Sequence, residues 1–332
     1  MTFGLFLPQG WKHDLVQVDP VDHWSVMSGL ARHADEGDVW DSIWVYDHFH
    51  TVPEPTDQAT HEAWSLMAAF AASTRRIRLG QMCSCMSYRN PAYLAKVATT
   101  VDVISGGRLN MGIGAGWYEH EWLAYGYGFP SAGERLARLD EGVQIMRQLW
   151  SEGVSTFEGK HYQTAGAINR PLPVQAGGIP LWIAGGGERK TLKTAAKYAT
   201  HTNFDGSLET FAHKSEVLRG HCEDVGRDFA SITRTADYNV AIGRDEKEVA
   251  DRIAARKASL EQYVSAEAAE REVGNFSSSA VGVGTPEQIV EKLKPLLAAG
   301  LGHANFYFPE LATDTSGLEL FEREVVPALL AG

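Results

Sequence analysis

The sequence predicts a single α/β domain over residues 1–332, a (β/α)8 TIM barrel with insertions before the fifth strand and after the seventh. Three observations predict it. Short β-like runs alternate with longer helical patterns, and repeated β-then-α order implies a parallel sheet. There are eight such runs, the number at which a parallel α/β sheet closes into a barrel. The length of 332 residues suits one such barrel, and 44% hydrophobic with 22% charged residues supports a large buried core.

In chain order, the predicted strands are Phe3–Leu7, Ser42–Tyr46, Ile77–Cys83, Arg108–Gly114, Pro180–Ala184, Thr200–Phe204, Asp237–Ile242 and His303–Phe308. Several helices between them carry their own signals. Asn90-Pro91 reads as an N-cap followed by proline at the first helical position. Leu136, Leu139, Val143, Met146 and Trp150 recur at spacings of three and four, which gives one apolar helix face. Thr285-Pro286-Glu287-Gln288 reads as a capping box, with Gly300 as the stop. Two stretches break the rhythm: residues 155–178 as an irregular hairpin, and the polar, Ala/Glu-rich residues 257–280. Long excursions from a compact domain tend to be lids or binding loops.

The net charge of −12 argues against a general binder of nucleic acid or anionic membranes. Three cysteines, Cys83, Cys85 and Cys222, predict a reducing compartment without a disulfide framework. The opening MTFGLFLPQG lacks a basic stretch and a long apolar run, and no segment reaches the roughly 20 apolar residues of a membrane helix. The expectation is a cytoplasmic protein acting on a small molecule.

Barrel active sites lie at the C-terminal ends of the strands. Strand two ends in Asp47-His48-Phe49-His50, strand three in Met82-Cys83-Ser84-Cys85, and strand four in Gly114-Ala115-Gly116-Trp117. Strand five ends in Gly185-Gly186-Gly187, strand six near Asn203 and Asp205, and strand eight in Pro309-Glu310. The triple glycine runs into a helix predicted near Glu188, with Arg189, Lys190 and Lys193 on it, so its backbone N–H groups suit a phosphate. Gly112-Ile113-Gly114-Ala115-Gly116 has GxGxG spacing, a weak dinucleotide signal that equally fits close packing or a flat ring over bare backbone. His48 is the leading catalytic candidate, because histidine titrates near neutrality and an adjacent acid tunes it. His48 and His50 also form an HxH pair, but a metal needs three or more protein ligands, and only His201 lies near. No metal is expected. Cys83 and Cys85 read as two small buried thiols.

The segments FGLFLPQ, IWVYDHFH, RIRLGQMCSCMSYRNPAYLAK, VDVISGGRLNMGIGAGWYEHEW, PLWIAGGGERKTLKTAAKYA and VGTPEQIVEKLKPLLAAGLGHANFYF span nearly the whole chain. Together they resemble the bacterial luciferase-like superfamily, and within it the coenzyme F420-dependent oxidoreductases. The resemblance implies a deazaflavin in the barrel mouth, backed by a non-prolyl cis peptide at Met82-Cys83. It implies that Asp47 and His48 lie beside the ring and that Gly114, Ala115, Gly116 and Trp117 edge it. Gly185, Gly186 and Gly187 would hold the tail phosphate, with Ala184 and Asn203 as further cofactor contacts. One departure stands out: sugar-phosphate dehydrogenases of the family carry a catalytic Glu where this chain has Trp117, and the nearest acids are Glu119 and Glu121.

The resulting expectation is hydride transfer between deazaflavin C5 and a small electrophilic substrate, in the reductive direction. His48 would handle the proton with Asp47 orienting it, and Trp44, Trp117, Tyr118 and Trp122 would form an aromatic wall. The resemblance also implies a homodimer, since relatives are often dimers. The alternatives are an FMN-dependent monooxygenase of the same superfamily and a non-catalytic flavin- or deazaflavin-binding protein.

Overall fold

A computed structural model of the chain describes residues 1–204, 206–277 and 279–331. Eight parallel strands form the barrel: β1 (Thr2–Phe6), β2 (Ser42–Val45), β3 (Arg78–Gln81), β4 (Leu109–Gly114), β5 (Leu181–Ala184), β6 (His201–Asn203), β7 (Thr233–Asn239) and β8 (Leu301–Tyr307). Their order around the sheet is β3-β2-β1-β8-β7-β6-β5-β4, and β3 also pairs with β4, so the sheet closes without an edge. The helices are α1 (His23–Glu36), α2 (Ala63–Ser73), α3 (Pro91–Ser105), α4 (Glu119–Ala124), α5 (Ala132–Ser151), α6 (Thr191–Tyr198), α7 (Leu208–Asp224), α8 (Glu246–Leu260), α9 (Ala266–Val273) and α10 (Pro286–Ala298), followed by short helical turns over Ser316–Leu320, Phe321–Val325 and Val326–Leu330.

Strand residues alternate between two buried faces, as a helix-covered parallel sheet requires. Leu5, Ile43, Leu79, Ile113, Ile183 and Ala304 pack outward in the main core. Each of the larger ones stabilises the fold by about 1.5–3 kcal/mol through removal of apolar surface from water. The inward residues fill the barrel. Trp44 lies across the interior with its ring 4.6 Å from Trp182, which stacks on His201 at 4.1 Å. A Cβ at Gly80 would collide with the Trp44 ring, so glycine on β3 is what admits tryptophan from β2.

The eight predicted strands all form, with one displaced. The seventh begins at Thr233 rather than Asp237, and Ala241–Ile242 leaves the barrel to pair with Val283–Gly284. The 155–178 stretch is more regular than expected: Val154–Glu158 and Gln163–Ile168 form an antiparallel hairpin. Its turn is tied to α5 by Glu141, which accepts the backbone N–H groups of Lys160, His161 and Tyr162 at 2.8–3.0 Å. The 257–280 stretch is helical over most of its length. Ser265 caps α9 through the N–H of Ala268, and Glu54 on the β2–α2 loop accepts from both Ser265 N–H and Oγ, which docks α9 beside the mouth. The capping box at Thr285 and Gln288 is present, as is the Asn90 cap on α3.

Candidate active site

A cavity of about 500 Å³ opens at the C-terminal ends of the strands. Asp47, His48, Met82, Cys83, Gly114, Ala115, Gly116, Trp117, Ala184, Gly185 and Asn203 all line it, whereas Gly186 and Gly187 do not, Gly187 being exposed. Asp205 lies outside the described residues. Glu310, at the end of β8, turns away to pair with Arg252 at 3.0 Å and borders a separate cavity.

His48 takes a different partner from the one expected. Asp47 is bound in a bidentate ion pair to Arg89, at 2.7 and 3.0 Å, and accepts the N–H of Cys85. An acid so occupied cannot orient the neighbouring imidazole. The partner of His48 is Glu121 of α4, whose Oε2 lies 2.9 Å from Nδ1. Glu121 is 0% exposed and accepts three further bonds: Tyr88 Oη at 2.9 Å, Phe49 N–H at 2.7 Å and His50 N–H at 2.9 Å. Burial alone would push its pKa up. The bond and charge of His48 and the two backbone donors outweigh burial, so Glu121 is held below its usual value and stays a carboxylate. A carboxylate only accepts, so Nδ1 carries the proton and Nε2 is left for the cavity. Nε2 forms no hydrogen bond among the described residues. Trp11 stacks flat on the imidazole at 4.2 Å and fixes its plane.

The peptide Met82–Cys83 is cis, at the point where Ser84–Cys85 resumes pairing with Ile113 and Gly114 of β4. The two thiols that follow explain the glycines opposite. A Cβ at Gly114 would lie 2.7 Å from Cys83 Sγ, and one at Gly116 would strike Cys85 Sγ. The CxC and GxG motifs therefore interlock, leaving bare backbone on one wall of the cavity. Burial pushes Cys83 up to about 12 and Cys85 higher still, so both remain inert thiols. Gly185 continues the bare wall at φ +115°, a conformation that favours glycine. Helix α6 begins at Thr191, three residues later than expected, so Arg189 and Lys190 precede it. Lys214 of α7 reaches this turn, with Nζ 2.6 Å from the carbonyl of Gly186.

The expected aromatic wall is only partly at the mouth. Trp44 and Trp122 are fully buried, Trp44 inside the barrel and Trp122 behind Gly116. Trp117, 61% exposed, stands at the rim edge-on to His48. Trp11 and Tyr46, rings 4.3 Å apart, form the wall instead. His201 stays with Trp182 in the barrel interior, where burial, with help from His303 and Arg78, lowers its pKa to about 3. Among the described residues, no three His, Cys, Asp or Glu side chains converge in a metal-binding group.

The loop after β1 and the end of β7 contribute two charged residues without an obvious sequence signal, Lys12 and Asp237. Lys12 Nζ lies 3.1 Å from Asn239 Oδ1 and 4.4 Å over the Tyr307 ring. Asp237 Oδ1 accepts from Asn203 and Asn305, each at 2.9 Å. Asp237 is exposed to the cavity, yet the walls around it are protein. That enclosure raises its pKa to about 6, against the opposing pull of the two asparagines and Lys12.

The site so built is a ligand cavity in the mouth of a parallel α/β barrel. The chain belongs to the luciferase-like monooxygenase family, whose model matches residues 1–303. It is 32% identical to the F420-dependent glucose-6-phosphate dehydrogenase of Nocardia farcinica (strain IFM 10152), over 88% of this chain and 90% of that one. Among solved structures, the fold matches an F420-dependent secondary alcohol dehydrogenase in complex with an F420-acetone adduct, with a TM-score of 0.77 at 20% identity over 99% and 98% of the two chains. It also matches the monooxygenase RslO1 from Streptomyces bottropensis, with a TM-score of 0.79 at 21% identity over 98% and 99%.

Proposed function

We propose that this chain is a coenzyme F420-dependent oxidoreductase that transfers a hydride between the deazaflavin C5 and a small organic substrate, as a reductase. The observation that carries the reading is one cavity lined jointly by His48, the cis Met82–Cys83 bulge and the backbone of Gly114, Gly116 and Gly185. The fit is tested by that wall. Side chains at Gly114 or Gly116 would strike the thiols packed against them, so this stretch of wall is bare backbone against which a flat group can lie. Met82, Cys83, Gly114, Ala115, Gly116, Trp117 and Ala184 would border a ring there, and Gly185 to Gly187, with Lys214 behind them, would hold an anionic tail. Bound F420 supplies two-electron hydride chemistry at a carbon centre.

The chain's own groups handle the proton. With Nδ1 donating to Glu121, His48 presents Nε2 as the proton donor or acceptor toward substrate, and Trp11 holds the ring in plane. Asp47 contributes through Arg89 and the Cys85 N–H, bracing the bulge rather than the imidazole. The reductive direction is supported by Trp117, which replaces the acid of the sugar-phosphate enzymes, and by Glu121, whose four donors leave no oxygen to substitute for it. A homodimer in the cytoplasm completes the proposal. Exposed apolar side chains on α3 and the segment before β5 (Tyr93, Val103, Ile104, Leu172 and Val174) support self-association, and no helix among the described residues is long and apolar enough to cross a membrane.

Titration of the purified chain with F420 and with FMN, followed by cofactor fluorescence, tests the cofactor. F420 is expected to bind the more tightly. Tight binding of FMN alone would overturn the assignment in favour of a flavin monooxygenase. Binding of F420 without turnover of any acceptor would leave a carrier protein.

A further inference from the structure

The half of the mouth formed by β6, β7, β8 and the β1 loop contains a cation that the proton relay does not use. Lys12 carries three N–H donors and has one side-chain acceptor, Asn239 Oδ1. It forms no ion pair among the described residues. Three rings surround the ammonium, Tyr307 at 4.4 Å and Trp11 and Tyr46 at 5.7 Å each. They hold it by cation–π attraction, while burial lowers its pKa against the opposing pull of Glu272.

The charged groups around Lys12 come from four elements: Glu272 on α9, Arg256 on α8, Asp14 in the β1 loop and Asp237 on β7. Two of these acids are occupied elsewhere, and the third, Glu272, accepts from Asn275 Nδ2 at 3.2 Å, keeps a buried Oε1 unpaired and forms no ion pair with Lys12 among the described residues. Asp14 accepts from the N–H groups of Gln9 and Gly10 and from Tyr307 Oη. Asp237 Oδ1 accepts from Asn203 and Asn305. The ammonium is thus held beside the cavity with donors to spare, and the neighbouring walls, Phe6, Tyr46 and Met82, are apolar.

We propose that Lys12 is a specificity-determining residue that anchors a carboxylate on an otherwise apolar substrate. A carboxylate suits the site better than a phosphate. One ammonium matches one negative charge, whereas a dianion would add a second charge facing Asp237 and Glu272; among the described residues lining the cavity Lys12 is the one Lys or Arg, and Arg256 borders a separate cavity. The inference deepens the F420 reading and rests on it for the identity of the reaction, not for the anchoring.

The test uses F420-loaded protein, with trans-cinnamate and its neutral amide, trans-cinnamamide, as probes in calorimetric titrations at pH 7. Wild type is expected to bind the acid about tenfold or more tightly than the amide, the scale of one charge-assisted hydrogen bond. Lys12→Met should erase that preference. Asp237→Asn, which removes a competing negative charge, should tighten cinnamate binding and leave the amide unchanged, a change of sign that structural damage cannot imitate. Equal affinities for acid and amide, no cinnamate binding, or a preference that survives Lys12→Met would overturn the assignment. Cofactor fluorescence on the same samples reports loading separately. A failure to load counts against the F420 reading, and the acid–amide comparison is then made on the cofactor-free chain.

Discussion

The two halves of the barrel mouth are built from opposite materials. On the β2–β5 side the wall is largely backbone: a cis bulge, glycines at the end of β4 and just past β5, and two inert thiols packed against the β4 glycines. On the β6–β8 and β1 side the wall is side chain: Lys12, Asp237, Asn203, Asn239 and Tyr307. Bare backbone approaches a large flat group closely and is indifferent to what else enters. Charged side chains discriminate by leaving a group unpaired when the wrong molecule binds. The difference suggests a division of labour, with the first half conserving one cofactor geometry and the second choosing the substrate. His48 sits where they meet, its Nδ1 tied to Glu121 and its ring stacked on Trp11 of the β1 loop.

The division can be broken from either side. The largest effect is expected from His48→Ala, which removes the proton carrier and should lower kcat by about 10²–10⁴-fold while F420 affinity, read by fluorescence, stays near wild type. Unchanged turnover would remove His48 from the chemistry. Glu121→Gln comes next. It places an amide among four donors in a fully buried position and should cost about 3 kcal/mol of stability in chemical denaturation. The effect should shrink on acidification: the folded pKa of Glu121 is depressed, so its contribution is present above the ordinary value of 4.5 and is lost as pH falls below it.

Gly185→Ala addresses the cofactor half alone. The backbone there has φ +115°, so the added Cβ strains it by about 1–2 kcal/mol. Weaker F420 binding with an unchanged cinnamate-to-cinnamamide ratio would sharpen the division, and a changed ratio would blur it. The smallest effect is expected from Asp237→Asn on stability. The folded pKa of Asp237 is raised to about 6, so the protonated form is favoured on folding, and this stabilisation is lost as pH rises through 6. The melting temperature of the variant should therefore gain on wild type between pH 4 and pH 7, and a constant difference would contradict the assigned environment.

How much of this was legible in the sequence follows from the same contrast. The strands that β-branched and aromatic residues build, such as Ser42–Val45 and Leu181–Ala184, announce themselves by composition. The strand Thr233–Asn239 was read four residues late because its inward residues, Thr235, Asp237 and Asn239, are polar, and a polar barrel lining imitates a loop. The backbone wall was readable as glycine and cysteine spacing, and the family resemblance anticipated the cis peptide now found at Met82–Cys83. The partnership of His48 with Glu121 was not, since 73 residues separate them and Asp47 is the obvious neighbour. The pairing of Asp47 with Arg89, 42 residues on, is what displaces that expectation. Lys12 escapes notice because it lies past the first strand, whose end carries no motif, and Asp237 because it stands at the start of the predicted seventh strand, whereas it belongs to the mouth-facing end of the observed one. A usable signal was present in the i, i+2 spacing of Asp237 and Asn239, which puts both on one strand face.

The most direct test of the division is an experimental structure of the chain with F420 and cinnamate bound together. The deazaflavin ring is expected against the Met82–Cys83 bulge and the Gly114–Gly116 backbone, with the carboxylate of cinnamate within hydrogen-bond distance of Lys12 Nζ. A ring seated against Lys12, Asp237 and Asn239 would contradict it.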